Sequence, residues 1–395
     1  MLVYFRKQTC YNAIMFGSGR IEESKFTSWY YGIDRRLLGC VLGLIFIGVL
    51  CVVSAGSVQA LRKGLPWYYF LQHMLPFYGV GLVGLFISSM LNKRLLLGLS
   101  VVDVAVCFVL LILTLVTPET HHGSDRWVRL LGVRVMPSDI MKPGFIMLTA
   151  LFFAKMKEKF GDNIFTSREA WRFSALSWWA YLIPFGMVLG ILFKQPDIGT
   201  MMLYFVAFVA FLFVAGLPRA IFLPVLGVLG SGGLLAFLFQ PHVHRRVMDF
   251  FKPLDPTTQV GYSVSAIRQG GLFGMADEAF AKESLPDAHT DFIYAAMVED
   301  WGAIIACLIL VFLLCIIRRL VTNAMSARDV FVFYAVSGTA ALFGTQICIN
   351  LATTLHMMPP KGMTLPFISS GGSSFLGYCL LFGMVLAIVR EDKWK

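Results

Sequence analysis

Ten stretches of this chain are apolar for long enough to cross a bilayer, and nothing else in the sequence restricts its fold as tightly. A hydrocarbon layer about 30 Å thick gives backbone N–H and C=O groups no partner, so a chain inside it must form helices or a closed barrel. The runs are continuous rather than alternating, which selects helices. Spans are predicted at 37–56, 69–91, 95–117, 139–155, 174–193, 200–216, 221–239, 291–317, 329–355 and 371–389. The expected fold class is therefore all-α: a polytopic integral membrane protein of about ten transmembrane helices. Residues 1–36 form a leading tail, 37–390 a single helical domain and 391–395 a short trailing end. With 57% hydrophobic and 14% charged residues, a soluble domain of this length is excluded.

A net charge of +10 would suggest nucleic acid in a soluble chain, but here the cations sort by membrane side instead. Most Lys and Arg residues lie in the tail, in short loops at 92–94, 155–173, 217–220 and 318–328, and at 390–395. By the positive-inside rule these segments, and both termini, are cytoplasmic. The other cations gather mainly in or beside two outer segments, 118–142 and 240–290, with Lys361 alone in a third. Long loops translocate regardless of charge, which is one explanation; the other is an anionic ligand such as a phosphate-bearing head group. Seven of the eight cysteines lie in apolar runs without CxxC spacing, so they read as packing residues.

The long connection 240–290 contains Phe250, Phe251, Leu254, Tyr262, Val264 and Ile267 among its charges. It is expected to lie against the bilayer surface, partly as short amphipathic helices. It ends in Leu285-Pro-Asp-Ala-His-Thr-Asp-Phe-Ile293, where Glu283, Asp287, His289 and Asp291 crowd the start of a span. Thr290 or Asp291 can cap that helix. Alternatively, a carboxyl at the edge of a low-dielectric slab acquires the raised pKa that a general base needs. Further on, prolines and glycines interrupt Met358 to Ser374, and such a broken helix entry can aim N–H groups at an anion. Among polar residues within spans, Gln72, His73, Asp103, Gln346 and Asn350 are expected to face the bundle interior or a cavity, mostly in helix-to-helix hydrogen bonds. Asp197 is expected to pair with Lys194 or cap the next span.

Leu285–Ile293 resembles the LPE-A-HTDFI signature of the SEDS family, the FtsW and RodA peptidoglycan glycosyltransferases. The resemblance extends over all ten spans. It runs through Glu299, Gly123-Ser-Asp-Arg-Trp127, Pro137-Ser138 with Lys142, Gln195–Thr200, Gly261-Tyr262 and Pro360–Ser374. Asp287 and Asp139 stand where the family more often has glutamate, Met136 where glutamine is usual, and Ser263–Ala281 is the least faithful stretch. Ala288 and the length of the leading tail resemble the division members more than the elongation members.

The resemblance implies polymerisation of lipid II at the outer face of the bacterial cytoplasmic membrane, at the division septum. It implies that Asp291 is the catalytic carboxylate, activating the 4-hydroxyl of the acceptor sugar while undecaprenyl diphosphate leaves. Candidate substrate-binding residues are Arg126, Lys142, Arg245, Arg246, Glu283, His289, Thr290, Lys361 and Ser370. Arg suits a bidentate grip on phosphate and Lys a point charge. No metal ligands are assigned, although Mg2+ or Mn2+ at the pyrophosphate is compatible with the chemistry. Implied partners are the nascent glycan, a class B penicillin-binding transpeptidase, division regulators and membrane lipid, with no nucleic acid. Two rival functions share the same pattern. A lipid II flippase would need polar groups through the whole membrane, and a non-catalytic division scaffold would not need Asp291.

Overall fold

The computed structural model describes residues 25–116, 119–121, 124–130, 132–161, 164–165, 168–239, 241–275, 284–285 and 287–393. Short helix α1 (Lys25–Gly32) leads into α2 (Arg35–Arg62), α3 (Tyr69–Met90) and α4 (Lys93–Val116). A small antiparallel sheet of β1 (Glu119–His121), β2 (Ser124–Leu130) and β3 (Val133–Val135) follows. The chain continues through α5 (Pro137–Ile140), α6 (Lys142–Phe160), α7 (Arg168–Lys194), α8 (Ile198–Val214) and α9 (Arg219–Phe239). Then come α10 (Pro241–Phe250) and α11 (Gln259–Gly270), and finally α12 (Ile293–Met325), α13 (Val330–Thr354) and α14 (Gly372–Lys393).

Each predicted span has its helix. Eight are long and apolar enough to cross a membrane, whereas α8 is shorter and α6 carries charge at both ends. The fold is all-α as expected, with this small sheet as an addition within one connection. The sheet occupies the segment between α4 and α5, where Val128 pairs with Val135 and Leu130 with Val133. The connection after α9 contains short helices, as expected, and there are two of them among the described residues. Val260 and Ala266 of α11 are buried, whereas Phe251, Leu272 and Phe273, before and after it, are exposed.

The core is built around α14, whose apolar window is 83% buried, and α13, at 61%. Helix α3 lies along α14, α12 packs between α2 and α13, and α6 and α8 close on α13. Helix α9 is peripheral, with Leu223, Leu234 and Leu238 facing outward as lipid-contacting residues should. Gln72 and His73 stand on the exposed side of α3, contrary to expectation. His73 satisfies its ring nitrogen on the Tyr69 carbonyl, 2.9 Å away, and so needs no partner across the bundle.

Helix α12 is broken near its start. Gly302 adopts φ 82° and ψ 170°, a conformation open in practice only to glycine. The break leaves helical groups without their usual partners, and the segment after α11 supplies substitutes. Ala303 N donates to Gly271 O at 2.9 Å, Ile304 N to Leu272 O at 3.3 Å, and Met275 N to Glu299 O at 2.7 Å. The first turns of α12 are thereby tied to the connection that precedes them.

Candidate active site

Residues 287–292 form a tight turn before α12, in which Thr290 N donates to Asp287 O at 3.1 Å and Phe292 N to the same oxygen at 3.3 Å. The N-cap of α12 is Phe292, with no side-chain cap bond. Thr290 Oγ1 donates to Asp287 O instead, at 3.3 Å. Neither Thr290 nor Asp291 therefore caps the helix, which removes the structural explanation for an acid at 291.

Asp291 is half-buried. Burial pushes its carboxyl up to about 7; Asp287 adds to the rise, Arg126 and Arg246 oppose it, and Asp139 adds a little more. Its backbone is fixed from α13, because Asn350 Nδ2 donates to Asp291 O at 2.8 Å. Gly362, at φ 63°, comes so close that a Cβ there would lie 3.3 Å from Asp291 Oδ2.

Arg126, Arg246 and Lys361 line one cleft together with Pro196, Gly199 and Pro360. Arg126 comes from β2 and is held by Asp197 at 3.2 Å. Asp197 also caps α8 through Thr200 N, so it pairs with Arg126 rather than with Lys194. Arg246, on α10, reaches the Pro360 carbonyl at 3.3 Å. Lys361 lies in the loop before α14. Burial and then the charge of Arg246 hold its ammonium below its ordinary value. Desolvation and then Arg126 do the same to Arg246. Cations that depress one another in this way are relieved by an anion between them.

Three expected anion ligands lie elsewhere. Lys142 is fully enclosed: it pairs with Asp139 at 2.6 Å, donates to Gln346 Oε1 at 2.8 Å and sits 4.8 Å over the Tyr378 ring. A charge at that depth needs internal compensation, so it is spent on the core rather than offered to the cleft. Arg245 is exposed next to Arg246 but does not line the cleft. His289 is stacked on Phe70 at 4.0 Å, and burial drives its imidazole down to about 4, so it is neutral near pH 7. Its Nδ1 is buried without a partner. Glu283 lies outside the described residues.

The glycine-rich turn also differs from expectation. Ser370 N donates to His289 O at 2.9 Å and Gly371 N to Ser369 O at 2.8 Å, so these N–H groups face the protein rather than an anion. The turn thereby docks on the segment that carries Asp291, and Ser370 acts through its backbone. Sequence reasoning placed the two amides of α13 in the bundle interior, where they are, but missed the loop that they hold. Gln346 accepts from Lys142 on α6 and Tyr378 on α14, as expected of a helix-to-helix contact, but it also donates to Thr364 O at 2.9 Å, and Asn350 donates to Met363 O at 2.6 Å, so both hold a loop as well. Their spacing of one helical turn was the available signal. Asp103 also binds backbone, accepting from Gly144 N at 3.0 Å at the start of α6.

Fold and site together define a polytopic helical membrane protein with an acid and a cationic cleft at one end of its bundle. The chain belongs to the FtsW/RodA/SpoVE family, described as cell cycle protein, whose profile matches residues 35–394. A probable peptidoglycan glycosyltransferase FtsW of Caulobacter vibrioides is 34% identical over 384 residues, covering 94% of this chain and 93% of the relative. A solved structure described as structural coordination of polymerization and crosslinking by a peptidoglycan synthase complex aligns with a TM-score of 0.73 at 25% identity. It covers 92% of this chain and 99% of that one. The rod shape determining protein RodA of Thermus thermophilus shares the fold with a TM-score of 0.65 at 24% identity, covering 91% of this chain and 97% of that one.

Proposed function

We propose that this chain is a peptidoglycan glycosyltransferase that polymerises lipid II at the outer face of the bacterial cytoplasmic membrane, with Asp291 as its general base. The observation that carries this reading is the convergence of Asp291 with Arg126, Arg246 and Lys361 at one end of the bundle. Asp291 interacts electrostatically with Arg126 and Arg246, and those two line one cleft with Lys361. A sugar hydroxyl is a weak nucleophile until its proton is taken up during attack, and a carboxylate titrating about 7 is suited to accept it. The acceptor's 4-oxygen forms the new bond to the donor's anomeric carbon. The bond from that carbon to the phosphate oxygen breaks, and its electron pair leaves with the lipid diphosphate. Arg126, Arg246 and Lys361 stabilise the charge that develops there.

Several finer assignments belong to the same reading. Both termini are cytoplasmic, and the site of action is the division septum. A class B penicillin-binding transpeptidase is the partner, in keeping with the coupling of polymerization and crosslinking described for the similar complex. Among the described residues, no group of three His, Cys, Asp or Glu side chains could hold a metal ion. Mg2+ or Mn2+, if used, would have to be bound largely by the diphosphate oxygens.

The test is Asp291→Asn, which preserves shape and removes the base. Purified with its transpeptidase partner, the variant should stay inserted and partner-bound yet extend no glycan from lipid II. Normal polymerisation by this variant would end the assignment. Loss of lipid translocation in an assay without polymerisation would favour a flippase.

A further inference from the structure

Asn350 lies on α13, is 1% exposed, and stands outside the cationic cleft. Its side-chain amide makes two bonds at once, to Asp291 O at 2.8 Å and to Met363 O at 2.6 Å. Those carbonyls belong to segments far apart in sequence, the turn that carries the base and the loop that carries Lys361. Between them sits Gly362, whose α-carbon is close enough to Asp291 that a methyl group would lie 3.3 Å from Oδ2. Asn350 Oδ1 is buried with no partner, which also fixes the orientation of the amide: the nitrogen must face the two carbonyls. One turn earlier, Gln346 repeats the arrangement on Thr364 O, and its own oxygen is held by Lys142 at 2.8 Å and Tyr378 at 2.7 Å. Helix α13 thus presents two amides to consecutive carbonyls of one loop, but only Asn350 also holds the catalytic turn.

We propose that Asn350 is a positioning residue, which sets the separation between the Asp291 carboxylate and the Lys361–Gly362 turn by bonding both backbones at once. The inference rests on Asp291 being the base. No other side chain on α13 is bonded to both segments among the described residues. An amide is suited to this task because its two N–H groups diverge in one plane, and a hydroxyl can replace only one of them. Asp at 350 would turn two donors into acceptors facing two carbonyl oxygens.

The experiment compares Asn350→Ala, Asn350→Ser and Asn350→Asp with the parent protein, each purified with its transpeptidase partner and supplied with lipid II. A misplacement of about 1 Å at a reacting group costs on the order of 100-fold in rate. The alanine and aspartate variants should lose about that much kcat with little change in KM, and serine should recover part of the loss. The acid limb of the pH profile should also move, because Asp291 changes its distance from Asp287, Asp139, Arg126 and Arg246, the charged groups that face it. Gly362→Ala approaches the same separation from the other side. It should give the same kcat loss and a shifted profile even if a residue 350 variant does not fold. Wild-type kcat per folded molecule, or a lowered rate with an unmoved pH profile in both the residue 350 and the Gly362 variants, would overturn the proposal. Activity in Asp291→Asn would instead remove the reading beneath it, so the two failures are distinct.

Discussion

At Asp291 the surrounding protein and the neighbouring guanidinium groups act in opposite directions. Burial and Asp287 favour the proton, whereas Arg126 and Arg246 favour the carboxylate, and the balance falls at about 7. Only the deprotonated form can take a proton from a sugar, so kcat/KM should rise with pH and level off above about 7. Stability should move the other way. The folded carboxyl keeps its proton to higher pH than the ordinary value of 3.8, so its contribution is full below that value and is lost as pH rises towards about 7. Arg246→Gln removes one of the opposing charges. Its acid limb should therefore shift to higher pH, and kcat/KM should fall about 10- to 100-fold through the lost phosphate contact. Arg245→Gln, one position away but off the cleft, should leave both nearly unchanged. A pH series of initial rates on the three proteins checks the sign and the contrast together. The sequence shows both arginines and cannot separate them, because which of two adjacent helical residues faces the cleft depends on how α10 is seated.

Among the elements, α12 shows how much the sequence reveals and where it stops. Its span and its start near Asp291 follow from apolar run length and from Pro286, and the presence of short helices before it follows from apolar residues set among charges, though not their number or bounds. The break at Gly302 does not, because glycine within a helix usually signals close packing and only the docked segment 271–275 makes the kink necessary. Gly302→Ala drives a methyl group into Leu272 O on a backbone at φ 82°, so the segment has to move. Backbone strain of this kind costs about 1–3 kcal/mol. The expected result is faster proteolysis within the connection before α12, together with reduced polymerisation, since the proposed base, Asp291, lies in the turn that leads into the same helix. Limited proteolysis in detergent, followed by mass spectrometry of the cut sites, would show it. Lys142 illustrates the opposite error. Its position near the start of a span fits an outer anion ligand, and although Asp139 one turn earlier is within reach on sequence spacing alone, only the packing of α13 and α14 around it reveals Gln346 and Tyr378 as further partners. The α13 amides escaped for a related reason, since a helix pattern shows that Asn350 turns inward but not that a loop folds back beneath it.

Across the whole molecule the two ends of the bundle are built for different purposes. One carries Asp291, the cationic cleft and the long connection; the other is fastened by ion pairs and caps. There, buried Asp34 caps α2 and binds Arg319 and Asn323 on α12, each at 2.7 Å. Lys93 pairs with Asp329 at 2.9 Å, and Asp392 accepts from Arg328 N and Asp329 N, both at 2.8 Å. A cleft near that end is lined by Val214, Ile317, Val321, Ala324 and neighbouring small residues, a surface unsuited to a charged sugar diphosphate. A flippase must open such an end to admit a head group, whereas a polymerase gains from holding it shut so that the opposite end keeps its geometry. Asp34→Ala separates the two demands. Losing a hydrogen-bonded charge costs about 1.5–3 kcal/mol, and because Arg319 is 27% exposed water can recover part of it. Thermal unfolding in detergent should therefore occur at a lower temperature, while polymerisation per folded molecule at 25 °C stays close to that of the parent. A large gain or loss of lipid translocation with the fold intact would mean that the ion-paired end is a gate, and the division of labour between the two ends would have to be abandoned.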